Sequence, residues 1–527
     1  MDALETISGP VLASRRERAA PLERWLSVGL MIGTVAAVII SLLSLTTYPA
    51  VFIDEPWYSD TAWNLATRGI NFDSMFTGAL DQWPAYWVRW PLIGNLPLAA
   101  AFAVGGLGLF QARLTSWLLG IVLLLLVFAL GRRLYSTLTA ALTTTLLALS
   151  YVFLQASHYA RVDIFLACAV TAALYLFVVG VQDDKRWAFF ASGLVGGLSV
   201  DIHMNGALFA ISLAALFIVV YGRKVLRTRH TWYFAGGAVL AGIYYLGVHI
   251  VPNPATYFEI SRGWQGSMMR PPLATLNPTV ILQSLVTEIG RYHFYEYSLD
   301  FALIGASILF CFARRKIADR LLVTFVGVAF LLFVLLIQAK HDIYAILFYP
   351  FFLLLVAETF TSLLREGRKR EPQRLFMAAI LVLFVFNSAL HIVRPIAANR
   401  NYNYYDVTSR VRSVVPAGAR VAGLPHWWLG LSDYDYRSIM NLTYYHFFND
   451  YTLTEGIEAI RPQYLIVDTG LRGLLMDQAG FTSTPGFSMY ALPRDEFETF
   501  LAQHGRKIDE FVNPWHGTFE IYEIYWN

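Results

Sequence analysis

Charged residues are scarce in this chain, and their scarcity indicates its class. Only 15% of its 527 residues are Asp, Glu, Lys or Arg, against roughly a quarter in soluble domains. The net charge of +3 is too small and too dispersed to indicate a nucleic-acid partner. Hydrophobic residues make up 56% of the sequence, and the mean hydropathy is +0.49. The composition therefore predicts a protein embedded in a bilayer.

Cysteine is almost absent as well. Cys168 and Cys311 both fall inside apolar segments, where small core residues are expected rather than a disulfide or a metal pair. The sequence also lacks a nucleotide-binding glycine loop, an internal repeat and an A-x-A-like cleavage site before Tyr48. The first apolar stretch is therefore interpreted as a retained membrane helix rather than a signal peptide.

Apolar runs close to the roughly 20 residues that span a bilayer predict about eleven membrane helices. They lie at about 26–48, 113–131, 137–156, 163–181, 187–202, 204–221, 232–251, 298–313, 320–338, 343–363 and 375–394. A further apolar stretch, 92–110, is excluded by the positions of the basic clusters. Only if it does not span do clusters such as Arg132-Arg133 and Arg314-Arg315-Lys316 lie on the side of the basic N-terminus, as the positive-inside rule requires.

This topology divides the chain into two parts. It predicts a mainly α-helical polytopic membrane domain, 1–394, in which 50–112 is one extracytoplasmic loop with helices at the membrane interface, where Trp83, Tyr86, Trp87 and Trp90 would be well placed. The N-terminus is then cytoplasmic and residues 395–527 are external. Short β-like runs at 419–424 and 464–468 alternate with polar helical stretches, which predicts an extracytoplasmic α/β domain.

Four polar clusters fall on the external side, although long segments separate them in sequence. Their members are Asp54, Glu55 and Arg89, then Arg161 and Asp163, then His203, and finally Lys340, His341 and Tyr344. Each member alone has a plainer interpretation. An acidic pair after a membrane helix is often a solvated helix cap, and a single interfacial Arg or Lys more often contacts lipid headgroups. Their coincidence at one face is what favours a functional site.

These side chains suit transfer of a sugar from a lipid phosphate. A carboxylate would accept the proton of an incoming hydroxyl, while Arg, Lys and His would hold the departing phosphate. Direct displacement would invert the anomeric centre. The predicted catalytic residues are Asp54, Glu55 and Asp163. The predicted substrate-binding residues are Arg89, Arg161, His203, Lys340, His341 and Tyr344.

The same segments resemble the type-C (GT-C) membrane glycosyltransferases, in the branch of the protein O-mannosyltransferases and lipid A aminoarabinose transferases. The resemblance extends over roughly 25–400. Asp54-Glu55 is similar to the family's first-loop acidic motif, 159–163 to its second acidic motif, and 340–350 to a late basic-aromatic-proline motif. The chain departs from the pattern at Arg89, where Lys is expected, and at 201–206, which lacks a Lys-Gly turn.

The resemblance implies an inverting transferase that uses a polyprenyl-phosphate-linked sugar and a lipid, glycan or protein acceptor. We expect it in a bacterial plasma (inner) membrane, without a required cofactor, and we leave a divalent metal open. Two alternatives remain. A secondary transporter should carry ionisable residues at mid-membrane on broken helices, and a non-catalytic GT-C-like subunit of a membrane assembly would keep the fold without the activity.

Overall fold

The described residues up to Ala398 are mainly helical, as the apolar composition predicts. The computed structural model describes residues 21–78, 91–258, 261, 277–292, 298–314, 316–338, 340–366, 371–477 and 492–526. The helices of this part are α1 (Pro21–Leu43), α2 (Asp54–Arg68), α3 (Leu92–Gly105), α4 (Leu109–Leu134), α5 (Thr137–Ala148), α6 (Tyr151–His158), α7 (Asp163–Asp183), α8 (Arg186–Leu198), α9 (Gly206–Tyr221), α10 (Arg229–Tyr245), α11 (Pro278–Gly290), α12 (Ser298–Arg314), α13 (Ile317–Leu336), α14 (Tyr349–Glu366) and α15 (Glu371–Ala398).

Seven helical segments in the described residues are long and apolar enough to cross a membrane. They are α1, α4, α7, α13, Gly206–Arg227, Arg229–Ile250 and Leu375–Ala398. An eighth span arises if α5 and α6, which meet at a bend of 65°, are counted together. Because α8 and α12 have only 13 and 17 residues, below the usual spanning length, the predicted number of about eleven stays a prediction.

The described part of the first loop contains two α-helices, α2 and α3. α3 has 14 residues, or about 21 Å of helix at the standard rise, which is shorter than the roughly 30 Å hydrocarbon core. It therefore fits a place within the loop better than a membrane span. Trp83, Tyr86, Trp87 and Trp90, predicted to lie at the interface, fall outside the described residues.

Closely packed helices fix the turn that carries His203. Phe177 of α7 makes edge contacts with Phe189 of α8 and Phe217 of α9, with ring centroids 5.6 and 5.0 Å apart. α8 and α10 approach each other at Gly193, where a Cβ atom would lie 2.0 Å from the Phe234 carbonyl oxygen. Only glycine fits this crossing. The connection between α8 and α9 is thus held in place by its neighbours.

After Ala398 the chain forms an α/β domain. Its five-stranded sheet has the order β2-β1-β3-β7-β6, with β1 parallel to β2 and β3, and β7 antiparallel to β3 and β6. These strands are β1 (Arg420–Gly423), β2 (Asp435–Ser438), β3 (Tyr464–Asp468), β6 (Gly505–Asn513) and β7 (Gly517–Ile524); β4 (Leu475–Met476) and β5 (Leu492–Pro493) pair separately. The helices are α16 (Tyr405–Val414), α17 (Trp428–Leu431), α18 (Asn441–Asn449), α19 (Leu453–Ile460), α20 (Thr469–Gly473) and α21 (Arg494–His504).

The predicted fold class is confirmed: a mainly helical membrane domain precedes a small α/β domain. The β-like runs at 419–424 and 464–468 correspond to β1 and β3. The helix α15 continues through Pro395 to Ala398, and the predicted domain boundary at 395 stays a prediction.

The α/β domain packs directly on the first loop. The Val51 amide donates a hydrogen bond to the Tyr402 hydroxyl at 3.3 Å, and the Asn441 side-chain amide donates to the Met75 carbonyl at 3.1 Å. Trp57 of α2 is buried in the same apolar cluster as the core of the domain. α2 is therefore fixed on both sides by a domain that follows it by more than 300 residues.

Candidate active site

α2 begins at the acidic pair singled out from the sequence. Asp54 and Glu55 occupy its first turn, where negative charge interacts favourably with the partial positive charge of a helix N-terminus. The helix ends at Gly69, whose φ of +69° gives the left-handed cap that glycine favours. Both ends of the helix are thus defined by local sequence, and its start places the two carboxylates where α1 meets the first loop.

Glu55 is completely buried and fully engaged. Its two carboxylate oxygens accept hydrogen bonds from Arg113 Nε and Nη2, both at 2.9 Å. They also accept from the backbone amides of Phe52 at 2.7 Å and Ala160 at 3.0 Å. Arg113 in turn donates to the carbonyl oxygens of Leu45 and Pro49. This environment favours a structural role for Glu55, whose predicted catalytic role stays a prediction.

Asp54 has a different environment, with its side chain 19% exposed. It forms an ion pair with Arg161, which also donates through Nε to Asp163 Oδ2 at 2.7 Å. The guanidinium lies over the rings of Phe52 and Tyr58, 5.5 and 5.6 Å from their centroids. Asp163 is 1% exposed at the start of α7. The structure thus brings two predicted carboxylates together around one predicted cation.

Two histidines and a tyrosine border this cluster. Tyr344 lies between them, with ring centroids 5.3 Å from His203 and 6.0 Å from His341. Burial lowers the pKa of His203 to about 4, against an opposing effect of Asp163, and burial also lowers the pKa of His341. Both imidazoles are therefore neutral at pH 7. The expectation that His341 helps to hold phosphate stays a prediction, and a neutral imidazole would do so through a hydrogen bond.

His203 has a defined orientation. Its Nδ1 accepts a hydrogen bond from the Asn205 amide at 3.2 Å, which assigns the remaining proton to Nε2. The imidazole is therefore a hydrogen-bond donor at Nε2. This donor is what the turn at 201–206 offers in place of the Lys-Gly turn expected from the family resemblance.

Lys340 belongs to a second, deeply buried cluster. Its Nζ donates to Glu288 Oε2 at 3.2 Å and to the Phe333 carbonyl at 2.9 Å, and its side chain is 1% exposed. Arg291 pairs with the same carboxylate, through Nε to Oε1 at 2.6 Å. Arg291 also approaches the His341 carbonyl at 3.5 Å. Two cations therefore share one carboxylate, which leaves a net positive charge next to the segment with His341.

The predicted site residue Arg89 lies outside the described residues. The chain after it starts α3 against the turn between α8 and α9. Asp201 accepts hydrogen bonds from the Leu92 and Ile93 amides at 3.1 and 3.3 Å, and from the Tyr244 hydroxyl at 2.7 Å. A Cβ atom on Gly94 would lie 2.8 Å from the Ile202 carbonyl oxygen. Asp201 therefore fixes the start of α3 beside His203.

The sequence argument missed three charged residues that the structure puts in or under the site. Arg113 was placed only in a membrane helix, while Glu288 and Arg291 fell in a stretch without a predicted span. A usable signal existed for the last two. A carboxylate and an arginine at i and i+3 near the end of an otherwise apolar helix are unusual enough near a membrane to indicate a site.

The described residues contain no group of three or more His, Cys, Asp or Glu side chains placed to hold a metal ion. Cys168 and Cys311 are both buried free thiols. The expectation that no cofactor is required stays a prediction.

The matching family model covers the segment between the first loop and α10. Residues 90–246 match the family described as dolichyl-phosphate-mannose-protein mannosyltransferase. A polyprenol-phosphate-mannose–protein mannosyltransferase of Mycobacterium tuberculosis is 28% identical over 244 residues, which are 40% of this chain. The match spans 45% of that relative's length, less than half of it.

Solved structures resemble nearly the whole chain. ArnT from Cupriavidus metallidurans, bound to undecaprenyl phosphate, aligns with a TM-score of 0.61 at 13% identity, covering 94% of this chain and 98% of ArnT. The oligosaccharyltransferase of Archaeoglobus fulgidus aligns at 0.55 with 16% identity, covering 94% and 74%. This chain has the GT-C fold. In this GT-C protein, Tyr344 lies within electrostatic reach of Arg161, which pairs with Asp54, and of Arg291, which shares Glu288 with Lys340.

Proposed function

We propose that the chain is an inverting glycosyltransferase that moves a sugar from a polyprenyl-phosphate donor to a hydroxyl group of a lipid, glycan or protein. The observation that carries the proposal is that two charged clusters both reach Tyr344. Arg161, the partner of the partly exposed Asp54, acts on Tyr344 electrostatically, and so does Arg291, which shares the buried Glu288 with Lys340. The mycobacterial mannosyltransferase supports the reaction class. The undecaprenyl phosphate bound by ArnT supports the donor class.

The chemistry needs one base and one phosphate-binding group. Asp54 would accept the proton of the acceptor hydroxyl while its oxygen attacks the anomeric carbon of the donor. The bond from that carbon to the phosphate oxygen breaks, and its electron pair leaves with the lipid phosphate. Lys340 and Arg291 would stabilise the charge that accumulates there. Attack opposite the leaving group inverts the anomeric centre, and the step requires no cofactor.

Arg161 and the neutral histidines have supporting roles in this proposal. Arg161 would orient Asp54 against Asp163, to which it is also bound. His203 would donate a hydrogen bond through Nε2, and His341 and Tyr344 would line the space between base and phosphate. Arg89, the remaining predicted contact, would bind donor phosphate from the first loop.

The two alternatives account for less of the molecule. A transporter places its ionisable residues at mid-membrane, whereas Asp54, Asp163, His203 and Lys340 all lie at ends of helices or in connections. A non-catalytic subunit has no need of a carboxylate that is left partly exposed beside paired cations. The proposed location is the bacterial plasma membrane, with the α/β domain outside.

Substitution of Asp54 by Asn tests the proposal, because it keeps the shape of the side chain and removes its basicity. In nanodiscs, the turnover of a polyprenyl-phosphate sugar by Asp54→Asn should be about two or more orders of magnitude below that of the wild type. The same difference is expected with and without EDTA. Donor affinity should be unchanged. Asp184→Asn, at a carboxylate that is 84% exposed after α7, is the matched control and should retain turnover. Normal turnover of the Asp54 variant would remove this residue from the mechanism.

A further inference from the structure

An apolar cavity lies inside the membrane domain, away from the cluster around Asp54. It has a volume of about 230 Å³ and is lined by residues of α6, α11, α12, α13, α14 and α15. Leu285, Ile304, Phe330 and Phe352 are among its walls. A cavity of about 150 Å³ in another protein stays dry and admits benzene. This larger space has room for part of one hydrocarbon chain.

One end of the cavity is polar. Asp300, in the first turn of α12, is 7% exposed and lines the cavity. Its Oδ2 accepts a hydrogen bond from the Tyr349 hydroxyl at 2.8 Å. Its Oδ1 has no hydrogen-bond partner among the described residues. Leaving such a buried acceptor without a donor is costly, so the cavity is suited to a ligand that supplies one.

Because of this polar end, the cavity differs from a site that binds a hydrocarbon chain alone. An isoprenoid chain carries no hydrogen-bond donor and would leave Asp300 Oδ1 unsatisfied. The cavity touches the proposed donor site at one place, Tyr292, whose hydroxyl accepts a hydrogen bond from Arg291 at 3.0 Å. Asp54, Arg161, His203 and Lys340 are not among its lining residues. A ligand here would therefore neighbour the proposed reaction without taking part in it.

We infer that the cavity binds a single-chain amphiphile whose head donates a hydrogen bond to Asp300, as a long-chain alcohol or amine of the bilayer does. The hydrocarbon chain of the ligand would pack against α11, α12 and α14. Its head would donate a hydrogen bond to the Asp300 carboxylate, which already accepts one from Tyr349. Ser388 of α15 lines the same space. This inference goes beyond the proposed glycosyltransferase reaction, in which none of these residues is used.

Photolabelling of the full chain in nanodiscs tests the inference. The probes are hexadecanol and hexadecylamine with a diazirine in the chain, and the methyl ether of the same alcohol, which cannot donate. We expect the alcohol or the amine to label peptides of α12, α14 and α15. Asp300→Leu, which keeps the branched shape of the side chain and removes the acceptor, should reduce that labelling by about tenfold or more. Equal labelling by the ether, or labelling unchanged in Asp300→Leu, would overturn the inference.

A second variant keeps the test independent of Asp300. Gly305 lines the cavity, and a Cβ atom there would meet nothing within 4 Å. Gly305→Phe should therefore fill the space without a backbone clash and abolish labelling of the same peptides. Unlabelled polyprenyl phosphate should not displace the probe from the wild type. If it does, the cavity belongs to the tail of the donor, and a separate amphiphile site is ruled out.

Discussion

Asp54 and Glu55 are adjacent in sequence but differ in what surrounds them. Glu55 is buried and receives four hydrogen bonds, whereas Asp54 is partly exposed and pairs with Arg161. A buried carboxylate with all its positions filled stabilises the fold, and a partly exposed one is able to reach a substrate. Substitution of Glu55 is therefore expected to lower the stability of the protein, and substitution of Asp54 to lower its turnover.

Glu55→Gln should destabilise the protein rather than slow its chemistry alone. The substitution leaves the Arg113 charge buried and unpaired, and breaking a buried pair in this way costs about 3–5 kcal/mol. The measurement is the free energy of unfolding in mixed micelles, with Asp54→Asn as the comparison. A Glu55→Gln protein that unfolds like the wild type but has lost turnover would show that Glu55 takes part in the reaction.

Lys340 and Glu288 should have opposite effects on donor affinity. Lys340→Met removes one charged contact to phosphate and should weaken donor binding about ten- to hundredfold. Glu288→Gln removes the carboxylate that competes with phosphate for both cations, so donor binding by the folded protein should become tighter. Loss of this buried negative charge beside two buried cations should also lower the free energy of unfolding by about 3–5 kcal/mol. Donor titration in nanodiscs measures both. Lys316→Met, at a 56% exposed lysine at the start of α13, is the control.

A change in the same direction for Lys340→Met and Glu288→Gln would contradict a phosphate site at this pair. Donor affinity that falls equally in Lys316→Met would show a general effect of lost charge.

The site residues that could be predicted from the sequence are those that a local sequence pattern marks. Asp54 follows an apolar run, and Arg161 and Asp163 lie two positions apart at the start of a helix, so the predicted topology was enough to place them on one face of the membrane. The partners Arg113 and Glu288 are 58 and 52 residues away from the side chains they bind. Such pairings depend on tertiary packing, which no local pattern contains.

At the scale of elements, α2 depends on the α/β domain for its position. The Tyr402 hydroxyl accepts from the Val51 amide just before α2 and lies 3.0 Å from His516 Nε2. Trp57 stacks on Phe76 with ring centroids 4.8 Å apart, and both belong to the core of that domain. The domain is thus part of the support of Asp54, whatever acceptor it also contacts.

Tyr402→Phe should lower turnover and leave donor affinity unchanged. One neutral hydrogen bond contributes about 0.5–1.5 kcal/mol, which corresponds to roughly two- to tenfold in rate if it acts by positioning Asp54. Steady-state kinetics over a range of donor concentrations separate the two effects. Tyr525→Phe, which removes an exposed hydroxyl bound to Glu523, should be silent. A loss of donor affinity in Tyr402→Phe would contradict a positioning role.

Helices and strands were predicted well where an apolar pattern marks them, and less well where a bend in the backbone divides them. β1 and β3 appeared as apolar alternation, and α1, α4 and α7 as long apolar runs. The run at 137–156 looked like one span but bends by 65° between α5 and α6. Ser150 caps α6 by accepting from the Phe153 amide, a local signal for a new helix that hydropathy does not register.

At the scale of the whole molecule, the proposed orientation rests on the positions of the basic clusters and can be tested by labelling. Lys185 after α7 and Ser413 in the α/β domain are both exposed, and the native cysteines are buried. An impermeant maleimide should label Ser413→Cys in right-side-out vesicles, and Lys185→Cys only after permeabilisation. Labelling of both from the same side would contradict the proposed orientation and the convergence of the polar clusters.

The contacts of Glu55 and Val51 also set an order for biogenesis. Translation delivers α2 early, but Glu55 meets Arg113 only after α4 has been made, and the Ala160 amide later still. Val51 meets the Tyr402 hydroxyl only after the last membrane helix. Domains generally fold in order from the N-terminus during synthesis. Here, however, the segment before α2 gains its contact with Tyr402 only when the C-terminal domain has been synthesised. A ribosome stalled before Tyr402 therefore holds a chain whose first loop is made but unfinished.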